Sequence, residues 1–154
     1  MPIGQLGRAA ALGAAGGLRT FLPLAALGAR GAPRRPWLAR GLGVLAGGEL
    51  IGDKLPATPS RLAGPALAGR AVSAGLAGAR LAGPTGAAVA VLASAVTAYG
   101  GYHARRRLTE ITPLPDWAVA LAEDSLALAL AGVGSRAKAE TAAAGVSGSL
   151  VTRR

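Results

Sequence analysis

The chain has 154 residues, no cysteine, 24 glycines, 3% aromatic residues and a formal charge of +10. That length suits one domain, and without cysteine there is no disulfide framework, thiol chemistry or Cys-based metal site. The arginines punctuate apolar segments and do not line one polar helix face, which argues against a nucleic-acid surface.

Hydrophobic residues make up 51% of the sequence and the mean hydropathy is +0.42. A soluble core normally takes its bulk from Phe, Tyr and Trp; here Ala, Leu and Gly dominate. Soluble helices disfavour glycine, whereas membrane helices use small residues to approach closely. An amphipathic soluble bundle would need a wide charged stripe on each surface helix, and no such stripe is present.

In chain order, five spans are predicted. The first runs about 3–27, with Arg8 and Arg30 flanking it, about 33 Å apart at helical rise and so about one hydrocarbon thickness. Arg19 interrupts its apolar run and no clear cleavage site follows, which favours an uncleaved span over a signal peptide. After the loop GARGAPRRP, Trp37 opens a second span, about 37–55, as an interfacial anchor. PATPS breaks the chain. The third span covers about 61–82 and the fourth about 84–103, with Pro84 at a first helical position. RRRLTEITPLPD reads as a loop, after which Asp116 can cap a fifth span, about 117–133. The domain division is a helical membrane domain over 1–135 and a loose, polar tail over 136–154.

Small residues recur four apart at Gly43 and Gly47, Gly48 and Gly52, and Ala74 and Gly78, a spacing that suits backbone-to-backbone packing. GGLRTFL (16–22) resembles GGYHARR (100–106), and LIGDKL (50–55) resembles LAEDSL (121–126). With five spans, the first and fourth cross in opposite directions, which would make the halves an inverted-topology repeat.

Charges inside these spans are the candidate site. An arginine at the centre of a span costs at least ~2.5 kcal/mol on insertion scales. Pro23 cannot donate to the carbonyl of Arg19, so a broken or kinked helix is expected at Arg19. Glu49 and Asp53 share one helix face, four residues apart and next to Lys54. Glu123 and Asp124 form the acidic face of the fifth span, and the four carboxylates stand against Arg19 and Arg70. His103 could join these groups, although a histidine at the headgroup boundary is the plainer reading. The candidate substrate-binding set is therefore Arg19, Glu49, Asp53, Lys54, Arg70, His103, Glu123 and Asp124. Arg19 is expected within salt-bridge distance of Glu49, Asp53, Glu123 or Asp124, with Asp53 and Asp124 close together. No nucleophile–base pair, phosphate loop or metalloprotease motif is present, and a lone histidine is a poor basis for a metal. Neither an enzyme, a cofactor nor a metal is expected.

The stretches GLRTFLPL (17–24), GELIGDKLP (48–56), RLAGPALAGR (61–70), GYHARRRL (101–108) and ALAEDSL (120–126) resemble an uncharacterised bacterial membrane family, the domain of unknown function 4126 family. The resemblance implies a small helical membrane protein and brings no activity with it. It implies shared polar positions at Arg19, Asp53, Lys54, Pro56, Arg70, His103 and Asp124. The family tends to have longer, more aromatic spans.

The expectation is thus an all-α, multi-pass bundle of about five spans in the cell membrane, with the bilayer as its partner and a homodimer as its assembly. It would be a small transporter or channel, or else a non-transporting scaffold or accessory subunit. A polar row leading to both surfaces would favour transport, and carboxylates sealed by arginines would favour the scaffold.

Overall fold

The computed structural model describes residues 3–30, 36–52 and 64–136. Asp53, Lys54, Pro56 and the tail from 137 lie outside the described residues. Among the described residues the fold is all-helical: α1 (Ile3–Leu18), α2 (Leu22–Arg30), α3 (Pro36–Gly52), α4 (Gly64–Ile111) and α5 (Asp116–Ser135).

The first predicted span is two helices. α1 stops at Leu18, and Pro23 falls in the first turn of α2, where its missing N–H costs nothing. A Cβ on Gly16 would sit 3.2 Å from the Pro23 ring, so the chain turns back on itself at 19–21. The third and fourth spans form a hairpin inside α4. Ala82 and Gly83 leave the helical region, Gly83 with φ of 60° and ψ of −150°, a conformation essentially reserved for glycine. Pro84 then starts the second arm, as predicted. Gly78 meets Gly86 and Gly75 meets Val91, so the arms, 64–81 and 84–111, run antiparallel.

Directions follow from such pairs. The first arm opposes α1, with Ala74 at Gly16 and Gly69 at Thr20. α5 also opposes α1, with Gly134 at Leu12 and Asp124 at Arg19. α3 opposes α2, with Ala39 at Gly28 and Glu49 at Thr20. α1 and the second arm run parallel, Gly13 meeting Ala90 and Gly17 meeting Ser94 and Ala98. This corrects the inverted repeat, whose fragments were expected to cross in opposite directions. The turn at Arg19 adds one reversal before the second fragment, and the added reversal makes the pair parallel. It also brings Arg8 to Gly134, so both ends of the described chain share one end of the bundle.

The second arm overruns its predicted end at His103 by eight residues, to Ile111. The RRRLTEI segment is helical because Arg106 and Glu110 pair at i, i+4 (3.1 Å) and the first helix-stopping residue is Pro113. Asp116 does not cap α5; Pro115 occupies that position, and Asp116 pairs with Arg105 instead.

The interior is made of Ala9, Leu12, Ala15, Ala74, Ala77, Ala90, Ala127 and Ala131, with Arg19, Arg70 and Asp124 buried among them. Val44, Ile51, Leu92, Val96, Leu126 and Leu128 face outward. Two helices, Gly64–Ile111 and Asp116–Ser135, are long and apolar enough to cross a membrane. Only 28% and 39% of their most apolar windows is buried inside the protein.

Candidate functional site

The site lies where α1 breaks. Arg19 donates its amide to the Ala15 carbonyl (2.8 Å), closing the last turn of α1. Its side chain turns inward and is 2% exposed. The guanidinium Nε donates to Asp124 Oδ1 at 2.8 Å, its Nη2 reaches the same oxygen, and its Nη1 donates to the Leu18 carbonyl at 3.2 Å. Asp124 is itself buried. Of the four carboxylates expected as partners of Arg19, namely Glu49, Asp53, Glu123 and Asp124, it is Asp124 that pairs with it. A buried charge of either sign demands such a partner, because desolvation without one costs several kcal/mol.

Breaking a helix leaves backbone donors unsatisfied at the next N-terminus. Glu49 meets them. Its two carboxylate oxygens accept from the amides of Thr20 (2.6 Å) and Phe21 (3.0 Å). A carboxylate at a helix N-terminus also complements the helix dipole. Glu49 is therefore an N-terminal cap delivered from another helix, and it fastens α3 to the break. α3 otherwise meets the fold chiefly through α2.

A second charged group continues from the first toward the end of the bundle that holds residues 112–115. Glu123 precedes Asp124 and lies against Gly101, whose added Cβ would be 3.3 Å from its carboxylate. Arg105, one turn beyond Gly101, reaches Glu123 (3.6 Å) and forms a two-pronged pair with Asp116 (2.6 and 3.1 Å). The charges run from the buried Arg19–Asp124 pair, through Glu123 and Arg105, to exposed Asp116. In the other direction the cluster of Ala15, Leu18, Leu22, Ala127 and Ala131 closes the interior.

Of the predicted set, Arg19, Glu49, Glu123 and Asp124 converge on the break. Arg70 is buried on the first arm next to Gly69, which packs on Thr20, and so stands at the same level. His103 stands apart: it is exposed, its ring packs on Tyr99 and Tyr102 with centroids 4.3 and 5.2 Å away, and it lines a surface cleft with Arg106, Arg107 and Glu110. Arg105 was not foreseen, because its segment reads as a loop; its place four residues after Gly101 on one helical face is the signal that finds it. The sequence offers Arg8 only as a flanking charge, yet its Nε donates to the Gly134 carbonyl (3.1 Å), a cation at the C-terminus of α5. Among the described residues no group of three or more His, Asp or Glu side chains is placed to hold a metal ion.

Comparison with protein-family models, curated proteins and solved structures gives no match.

Proposed function

We propose that the chain is a multi-pass integral membrane protein in which the Arg19–Asp124 pair is a structural clasp, serving a scaffold or accessory role in the bilayer. The observation that carries the membrane reading is the inverted distribution of side chains. Alanine and charged groups fill most of the interior, with Leu12, Leu18 and Leu22 as its larger apolar side chains, while Leu92, Val96, Leu126 and Leu128 face outward. A water-soluble bundle gains its stability from the opposite arrangement. Dimensions agree. From Pro84 to Arg105 is about 32 Å and from Trp117 to Arg136 about 29 Å at helical rise, against a hydrocarbon core of about 30 Å. The resemblance to the domain of unknown function 4126 family, carried by the five sequence stretches, points the same way.

The clasp reading rests on satisfaction of the charges. Asp124 is held by Arg19, Glu49 by two amides, and Glu123 and Asp116 by Arg105. The second reading, transport of an ion or small solute, is favoured by the charged track that reaches the buried pair from one end. That track meets apolar packing beyond Arg19, which is why the clasp stands first.

A double-mutant cycle separates the two. Breaking one partner of a buried pair costs about 3–5 kcal/mol, whereas replacing both by apolar groups of similar volume is often neutral. Arg19→Met and Asp124→Leu are each expected to unfold easily in detergent, and the double variant to recover most of the lost stability. A double variant as unstable as the single ones would defeat the clasp reading. Loss of an ion or solute flux in proteoliposomes, on a double variant that remains folded, would establish transport in its place.

A further inference from the structure

One outward face of the second arm changes character along its length. Leu92, Val96, Tyr99, His103, Arg106 with Arg107, and Glu110 recur at helical spacing and lie within about 100° of one another around the axis. Leu92 and Val96 are 67% and 70% exposed, and Tyr99 is 62% exposed. His103, Arg106, Arg107 and Glu110 line a cleft of about 270 Å³. Arg106 is braced by Glu110 through its Nε at 3.1 Å, which leaves the rest of its donor fork for another acceptor. Two guanidiniums against one carboxylate make the cleft net positive. His103 is steadied at its edge by Tyr99 and Tyr102, and Trp117 is exposed just past the 112–115 turn.

We infer that this face is a binding site for one anionic phospholipid. The headgroup phosphate would sit in the cleft on Arg106, Arg107 and His103, and an acyl chain would lie along Tyr99, Val96 and Leu92. The order apolar, aromatic, basic along a single helical face is the order hydrocarbon, interface, phosphate of a bilayer leaflet. Arginine suits phosphate because its planar fork donates two parallel hydrogen bonds. Neighbouring Arg105 is committed to Asp116 and Glu123, so the site is built by Arg106 and Arg107 and not by the whole basic run.

This inference rests on the membrane reading, and the two fail differently. The full-length protein is first floated with neutral phosphatidylcholine vesicles after an alkaline carbonate wash; failure to float ends the membrane reading itself. Protein that floats is purified in a non-ionic detergent, and binding of phosphatidylglycerol and phosphatidylcholine is titrated by native mass spectrometry. One phosphatidylglycerol is expected to bind at least tenfold more tightly than phosphatidylcholine. A surface arginine is worth about fivefold toward anionic lipid, so Arg106→Gln/Arg107→Gln is expected to weaken phosphatidylglycerol binding about twenty-five-fold, and Arg107→Gln alone about fivefold. Arg107 is exposed, so the single variant keeps the fold and the test remains decisive if the double variant does not. Arg80→Gln, exposed on the first arm near the opposite end, is expected to change nothing. Equal affinity for the two lipids, an unchanged Arg107→Gln, or an equal loss in Arg80→Gln would overturn the site. Displacement of the lipid by millimolar inorganic phosphate would reassign the cleft to a free anion and overturn the lipid.

Discussion

Glycine does opposite things in α1 and in α3. A Cβ on Gly13 would enter the Ala90 backbone, and one on Gly17 would overlap the Ser94 carbonyl and the Thr97 hydroxyl. Gly78 and Gly134 are equally crowded, against Gly86 and Leu12. In α3, Gly41, Gly43, Gly47 and Gly48 have nothing within 4 Å of the same position among the described residues. The two regions have similar composition and hydropathy, so composition alone does not decide packing. What differs is what each helix faces. α1 lies between both arms of α4 and α5, where backbones can meet, and its glycines let them do so. α3 is held at one place by Glu49 and elsewhere by α2. Among the described residues, these four glycines make no close approach.

The comparison is tested most severely at Gly17. Gly17→Val must displace backbone on the second arm, and overpacking against backbone has no flexible side chain to relieve it. We expect a loss of about 4 kcal/mol or more, read as failure to recover folded protein from detergent extracts. The same change at Gly47 is expected to leave folding intact. If both variants behave alike, the distinction between the two helices is wrong.

Next in size is the fastening of α3. Glu49→Gln keeps the shape but removes the charge that two amide donors and the α2 dipole favour. Hydrogen bonds to charged groups are worth about 1.5–3 kcal/mol, and the amide retains part of that, so a loss of about 2 kcal/mol is expected. Hydrogen exchange should show α3 opening while α1 and the second arm stay protected. Loss of protection in α1 would mean that the two regions are one cooperative unit.

How far the sequence reveals this architecture depends on which force writes each feature. The helix class, the break at Arg19, the start at Pro84 and the need of Arg19 for one of four carboxylates are all legible. Each follows from a local rule: proline lacks a donor, and a charge in an apolar run needs a partner. Reversal of the chain at 19–21 is not legible, because a kink and a turn share the same local signature. That single ambiguity changes the relative direction of the first and fourth segments and removes the inverted repeat. The role of Glu49 is hidden for a related reason. A carboxylate at helical spacing from Asp53 reads as half of a binding face, whereas its partners are backbone amides 28 and 29 residues away. His103 was grouped with the acidic residues by its chemistry, but helical phase places Gly101, not His103, against Glu123.

A smaller effect is expected at Gly83. Among the described residues nothing lies within 4 Å of its would-be Cβ, so the expected cost of Gly83→Ala is conformational and not steric. Its backbone sits where only glycine is comfortable, and such strain costs on the order of 1–3 kcal/mol. We expect about 1.5 kcal/mol in thermal unfolding, against a far larger loss at Gly17. A neutral result would mean that the hairpin turn relaxes to another geometry without disturbing the Gly78–Gly86 contact.

The smallest expected effect has the opposite sign. Gly43→Ala places a methyl group into open space on an exposed face of α3, and alanine is favoured over glycine inside a helix by about 0.5–1 kcal/mol. In a monomeric chain the variant should be slightly more stable, by under ~1 kcal/mol in detergent unfolding. The homodimer expected from the sequence makes this measurement sharper. Gly43 and Gly47 lie four apart beside exposed Val44 and Leu45, the spacing at which membrane helices dock through their backbones. If a second copy covers that face, the added methyl group separates the two helices and the variant loses stability. That loss would grow with dilution, because mass action links dimer stability to concentration. A small gain that is independent of concentration leaves that face of α3 uncovered by a second copy. A concentration-dependent loss gives them the same task between chains that Gly13 and Gly17 perform within one, and the contrast between α1 and α3 would then hold only inside the single chain.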